Sequence, residues 1–168
     1  MSHATMNKRE HVLNAFLLSV GVGYLLQPTD DVAFLATVAA LAVPITLGAL
    51  VPDVDTVFGS HRKPLHNLPL LALFLAYPLA FGNLQWVWLG VLSHYVLDLL
   101  GTTRGLALGY PLLNREFGVP VGVPVDSRRA PAVMLAVTAF ELAVAWYVLY
   151  ELDPALLDAI GSAVGIAA

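Results

Sequence analysis

The sequence predicts an all-helical membrane bundle of about five spanning helices with a short C-terminal helix after them. Three observations carry that expectation. Hydrophobic residues make up 58% of the chain and charged ones only 12%, about half the charged share of an ordinary soluble domain. The apolar residues are gathered in uncharged runs of bilayer length, and the topology those runs imply places every basic residue on one side.

The first span is read over 11–26, behind Lys8 and Arg9 and before the polar stretch Gln27-Pro28-Thr29-Asp30-Asp31. No small-x-small cleavage site follows it, so it is expected to stay as an anchor. The second covers 32–51, twenty residues without a charge, enough at 1.5 Å per residue for a core of about 30 Å. Its Pro44 is expected to kink it. From Pro64 to Leu97 there is no Asp, Glu, Lys or Arg, yet one straight helix of that length would overshoot the bilayer. The chain must turn back, and Phe81-Gly82-Asn83 supplies the breaker, giving spans over 65–80 and 84–100. A loop over 101–130 leads to the fifth span, 131–150, which opens on Pro131 and is interrupted by Glu141. Asp153-Pro154-Ala155 starts the short last helix, and residues 1–168 form a single transmembrane domain.

With this threading, Lys8, Arg9, Arg62, Lys63, Arg104, Arg115, Arg128 and Arg129 all share one side, which the positive-inside rule makes cytoplasmic, N-terminus included. Asp30, Asp31, Glu151, Asp153 and Asp158 fall on the other, near an aromatic belt of Trp86, Trp88, Trp146, Tyr147 and Tyr150. The expected location is therefore the cytoplasmic membrane, multi-pass. A net charge of -4 gives no basic stripe for a phosphate backbone, so nucleic acid is not an expected partner. The chain has no cysteine, which excludes disulfides, thiolate metal sites and thiol nucleophiles.

Ionisable groups inside apolar segments are costly and mark function. His11 opens the first span, Asp53 and Asp55 follow the second, His61 and His66 precede the third, and His94 and Asp98 approach the same face from the fourth. The last two are spaced i, i+4 and so project from one side of a helix. Singly, each has a structural reading: an interfacial anchor for His11, a helix-stopping turn for the aspartates, headgroup contacts for His61 and His66, an interhelical hydrogen bond for His94 and Asp98. Together, imidazoles and carboxylates without thiolates suit a divalent metal, zinc, manganese or iron, which would activate water for hydrolysis. Glu141, near the middle of the fifth span, needs a partner: a hydrogen bond across helices, a buried histidine or arginine, or a place in the metal shell.

The series Glu10-His11, Pro52-Asp53-Val54-Asp55, His61-Arg62-Lys63-Pro64-Leu65-His66-Asn67 and Ser93-His94-Tyr95-Val96-Leu97-Asp98, with Leu108-Gly109-Tyr110-Pro111 behind it, resembles the YdjM-like family of membrane-bound metal-dependent hydrolases over roughly residues 10–125. The family pattern commonly reads His-Arg-Gly-x-Thr-His-Ser with a histidine after the second aspartate, and Lys63, Leu65, Asn67 and Thr56 depart from it. The resemblance implies a helical fold distantly similar to zinc-dependent phospholipase C.

The leading expectation is an enzyme: one or two ions, zinc foremost, held by His11, Asp53, Asp55, His61, His66, His94 and Asp98, with Asp55 or Asp98 as base and Arg62 on the substrate's anionic group. The substrate class expected is a phosphoester of a lipid or other amphiphile at the cytoplasmic leaflet. The alternatives are a non-catalytic membrane adaptor whose polar cluster only fixes packing, and, behind it, a metal-ion transporter with ligands at several depths.

Overall fold

In the computed structural model, described over residues 8–58, 64–124, 127–152 and 155, the apolar segments are helices. They are α1 (Lys8–Leu26), α2 (Asp31–Leu50), α3 (Leu68–Phe81), α4 (Val87–Gly101) and α5 (Ala130–Tyr150), with a short 3-10 helix, Pro52–Phe58, after α2. No strand occurs among the described residues; two isolated bridges, Thr102 to Val123 and Leu106 to Phe117, pin the loop between α4 and α5. The C-terminal helix expected from Asp153 onward lies outside the described residues.

Local chemistry sets the helix ends. Asp30 caps α2, its Oδ1 accepting from the N–H groups of Val32 and Ala33 at 2.9 Å each. The third helix begins at Leu68 rather than at residue 65, because Asn67 is extended and its Oδ1 accepts the Leu70 N–H at 2.9 Å. That cap ends any helix upstream of it and leaves 64–67 as an irregular stretch. Gly82 closes α3 in the left-handed conformation, φ 65°, which glycine adopts without a Cβ penalty. Leu84 also has positive φ, 59°, and α4 accordingly starts three residues past it, at Val87.

Helix α4 is the hub, packing on α1, α2, α3 and α5, while α1 lies along α2 and against α5. Buried residues on α1 recur as His11, Asn14, Ala15, Leu18, Ser19, Val22 and Gly23, one stripe at helical spacing. Where α2 crosses α4 the backbones touch. A Cβ on Gly48 would stand 2.0 Å from the Val87 carbonyl oxygen, and one on Gly90 would stand 1.9 Å from that of Ile45. Small residues at a crossing let two helices approach this closely, as membrane bundles use them to do.

Outward faces are apolar: Val32 is 78% exposed, Leu35 65%, Val43 64%, Leu73 58% and Phe140 53%. Such surface is far beyond the scattered apolar residues of a soluble monomer. Two segments are long and apolar enough to cross a membrane, Asp31–Val57 and Ala130–Tyr150; Leu68–Phe81 and Val87–Gly101 are apolar but shorter.

Candidate metal centre

The site is assembled from α1, the 3-10 helix, the stretch before α3, and α4. Its foundation is the glycine crossing. One turn beyond Gly90, His94 meets the end of α2, and its Nδ1 lies 2.6 Å from the Ala49 carbonyl oxygen. Ala49 is among the last four residues of α2, whose carbonyls have no partner further along the helix. A carbonyl only accepts, so Nδ1 carries the proton and Nε2 presents its lone pair.

Pro52 then turns the chain into the 3-10 helix, and here the usual burial order is inverted. Asp53 and Asp55 are buried at 3% and 0% exposure while Val54 and Val57 stand out at 49% and 78%. Thr56 Oγ1 donates to the Asp53 carbonyl at 2.7 Å and holds this turn. Carboxylates inside and valines outside is an arrangement no apolar core would select.

His66 enters from the irregular stretch before α3. The Tyr95 hydroxyl donates to the Leu65 carbonyl at 2.7 Å and accepts from the Asn67 N–H at 3.1 Å, so α4 grips both neighbours of His66. Its Nδ1 lies 2.9 Å from Asp55 Oδ2, which fixes the proton on that nitrogen and turns Nε2 inward. There it meets His94 Nε2 at 3.1 Å. With both Nδ1 atoms serving as donors, two imidazole lone pairs face each other. That contact is repulsive unless a proton or a metal ion joins them. Two nitrogens of one tetrahedral shell with bonds of about 2.0–2.1 Å stand roughly 3.3 Å apart, so the separation suits a shared ion.

The remaining donors converge on the same point. Asp98 Oδ2 lies 3.7 Å from His66 Nε2 and 3.8 Å from His94 Nε2, and Asp98 Oδ1 lies 3.6 Å from His11 Nε2. Asp53 Oδ1 lies 4.0 Å from His94 Nε2. The His11 and His94 rings are stacked, centroids 3.7 Å apart and 9° from parallel. In each of two triplets, His11–Asp53–His94 and His66–His94–Asp98, the ligand atoms lie within 4.8 Å of one another; all are buried, and His94 is common to both. The donor set fits a divalent metal.

The family model for YdjM inner membrane protein matches residues 6–155, nearly the whole chain and all of these residues. The chain belongs to the YdjM inner membrane protein family. No curated protein and no solved structure matches it.

Of the residues singled out in this YdjM chain, His11, Asp53, His66, His94 and Asp98 offer ligand atoms to the two triplets. Asp55 joins the cluster through His66 Nδ1 and belongs to neither triplet. It sits where metal-binding histidines usually have a carboxylate behind them. His61 and Arg62 lie outside the described residues. Sequence reasoning missed the residues that set the ligands in place. Asn14 Nδ2 donates to Ser93 Oγ at 2.7 Å and Thr138 Oγ1 donates to Asn14 Oδ1, tying α1, α4 and α5 together one turn from His11 and next to His94. A signal existed for Asn14, three residues from His11 on the same face of an apolar helix. For the Ala49 carbonyl no side-chain signal exists.

Proposed function

We propose that this YdjM-family protein is a metal-dependent hydrolase that acts on a phosphoester of a lipid or other amphiphile at the cytoplasmic leaflet. The observation that carries the reading is the 3.1 Å approach of two imidazole Nε2 atoms whose Nδ1 atoms are both engaged, inside a cluster with three buried aspartates, Asp53, Asp55 and Asp98. Imidazole lone pairs turned toward each other beside buried carboxylates are the donor set a divalent ion takes.

His66, His94 and Asp98 would hold one ion, and His11 and Asp53 either complete its shell or hold a second beside it. A divalent cation, zinc foremost, supplies Lewis-acid polarisation of a phosphoryl oxygen and makes water acidic enough to yield a nucleophile near neutral pH. Asp55 acts through His66, keeping its tautomer and ring orientation. With Asp98 Oδ2 on the ion, the other oxygen, Oδ1, would be free of it to take the proton of the attacking water. Arg62, four residues after Phe58 in the sequence, is assigned the substrate's anionic oxygens, because a guanidinium meets phosphate through a planar fork.

We infer further that all five helices cross the membrane with the N-terminus cytoplasmic. Helices α3 and α4, at 14 and 15 residues, span a thinner hydrocarbon layer than α2 and α5, and the all-one-side placement of Lys and Arg supports this threading.

The deciding experiment screens phosphomonoesters and phosphodiesters of amphiphiles in mixed micelles with purified, zinc- or manganese-repleted protein, beside metal flux in liposomes. Turnover that needs metal and vanishes in Asp98→Asn is the expected result. Flux without turnover, or metal binding with neither, would overturn the enzymatic reading.

A further inference from the structure

A cavity of about 350 Å³ lies between α1, α4 and α5, on the far side of the Asn14–Ser93–Thr138 tie from the imidazole cluster. Its volume is in the range of ligand sites, roughly 300–1,000 Å³. The walls are hydrocarbon: Leu18, Val22 and Leu26 on successive turns of α1, Leu92 on α4, Val144 and Val148 on α5. Leu18 to Leu26 covers about 12 Å of helix, the length of a chain on the order of ten carbons.

Two side chains in this lining are out of keeping with it. Glu141 keeps both carboxylate oxygens buried, and its polar neighbours Asn14 and Ser93 can engage only part of the lone pairs a carboxylate offers. The Trp88 Nε1–H is buried without an acceptor among the described residues. An apolar helix that holds a carboxyl and an indole N–H in this state leaves a hydrogen-bonding need that the described residues do not meet. Neither group belongs to the proposed metal site.

We propose that this cavity binds a single-chain lipid alcohol, its hydrocarbon filling the space between the three helices and its hydroxyl meeting Glu141 and Trp88. The donor and acceptor inventory selects the head group. Glu141 needs a donor and Trp88 needs an acceptor; a hydroxyl is both. An ammonium head donates but has no lone pair for the indole, an ionised carboxylate head opposes Glu141, and a plain hydrocarbon satisfies neither. This site is independent of the hydrolase reading and holds whether or not the protein turns over a phosphoester.

The chain supplies its own reporter. It has three tryptophans; Trp86 and Trp88 line the cavity, and the third, Trp146, does not. In the full-length Trp146→Phe variant, reconstituted in nanodiscs, all tryptophan emission comes from the cavity wall. Quenching is titrated with ω-bromoundecanol, bromoundecane, ω-bromoundecylamine and ω-bromoundecanoate. Bromoundecanol should half-quench at about a tenfold lower mole fraction than bromoundecane, the size of one hydrogen bond to a buried group. Glu141→Leu should erase that preference while leaving bromoundecane quenching in place, and Glu141→Gln, which still donates and accepts, should keep it. Ala145→Phe, which fills the cavity, should weaken quenching by all four. Equal quenching by the four probes, a preference for the amine or the acid, or an alcohol preference that survives Glu141→Leu would each overturn the proposal.

Discussion

His11 and Asn14 stand three residues apart on one stripe of α1, yet the buried polar groups they enter differ in kind. Around Asn14 the donors and acceptors pair directly: its Nδ2 donates to Ser93 Oγ at 2.7 Å, its Oδ1 accepts from Thr138, and the Thr138 hydroxyl also lies 3.0 Å from the Met134 carbonyl. Such ties between amide and hydroxyl side chains are what a membrane bundle uses to fix helices against one another. Around His11 the accounting is open. Neither ring nitrogen of His11 has a hydrogen bond among the described residues, and two imidazole nitrogens face each other at 3.1 Å beside buried carboxylates. A group built only for packing would resemble the first. The second presents the donor atoms that a divalent ion takes.

Separating the two regions by mutation should give opposite signatures. The largest effect belongs to His94→Ala, since His94 is shared by both ligand triplets. Metal affinity should fall about a thousandfold, about 4 kcal/mol, while the metal-free variant is about as stable as the metal-free parent, relief of the facing lone pairs offsetting the lost Ala49 hydrogen bond and ring packing. Metal analysis after repletion, paired with thermal melts with and without chelator, reads both. Undiminished stoichiometric metal in His94→Ala would remove the shared-ion geometry.

Gly90→Ala should come next. Its Cβ has no room against the Ile45 carbonyl, so α2 and α4 must move apart and His94 loses Ala49. A stability loss of about 3 kcal/mol, the upper end of overpacking costs, is expected together with weaker metal binding, measured by unfolding in denaturing detergent. Retention of full stability would mean the crossing is looser than described.

Asp55→Asn should cost about 10- to 100-fold in metal affinity with little change in metal-free stability, the usual effect of disturbing the carboxylate behind a ligand histidine. An unchanged dissociation constant, by competition with a chromogenic chelator, would separate Asp55 from the metal altogether. The smallest effect on metal is expected of Asn14→Leu: about 1–2 kcal/mol of stability lost, from the hydrogen bonds to Ser93 and Thr138 that go with it, with metal affinity within about threefold of the parent. If Asn14→Leu abolishes metal binding while the protein stays folded, the two regions are one system.

The sequence revealed the helices because uncharged runs need no tertiary information to be read, and the cluster because ionisable groups in such runs have few innocent explanations. The i, i+4 spacing of His94 and Asp98 placed them on one face, and they lie 3.8 Å apart. Division of labour within the cluster was not legible. Asp53 and Asp55 are equivalent in the motif, and only the position of His66 places one beside the ligands and the other behind an imidazole. The α2–α4 crossing was invisible for a different reason: Gly48 and Gly90 act by lacking a side chain, and the group they deliver to His94 is a backbone carbonyl. The late start of α3 at Leu68 follows from the Asn67 cap, whose effect outweighs the apolar character of Leu65.

The most direct measurement is anomalous diffraction from crystals of the metal-loaded protein, recorded at the metal's absorption edge. The expected result is a peak within about 2.0–2.2 Å of both His66 Nε2 and His94 Nε2, with Asp98 in the same shell and Asp55 still on His66 Nδ1. A loaded crystal with no peak between those two nitrogens, or with the ion held elsewhere on the chain, would contradict it.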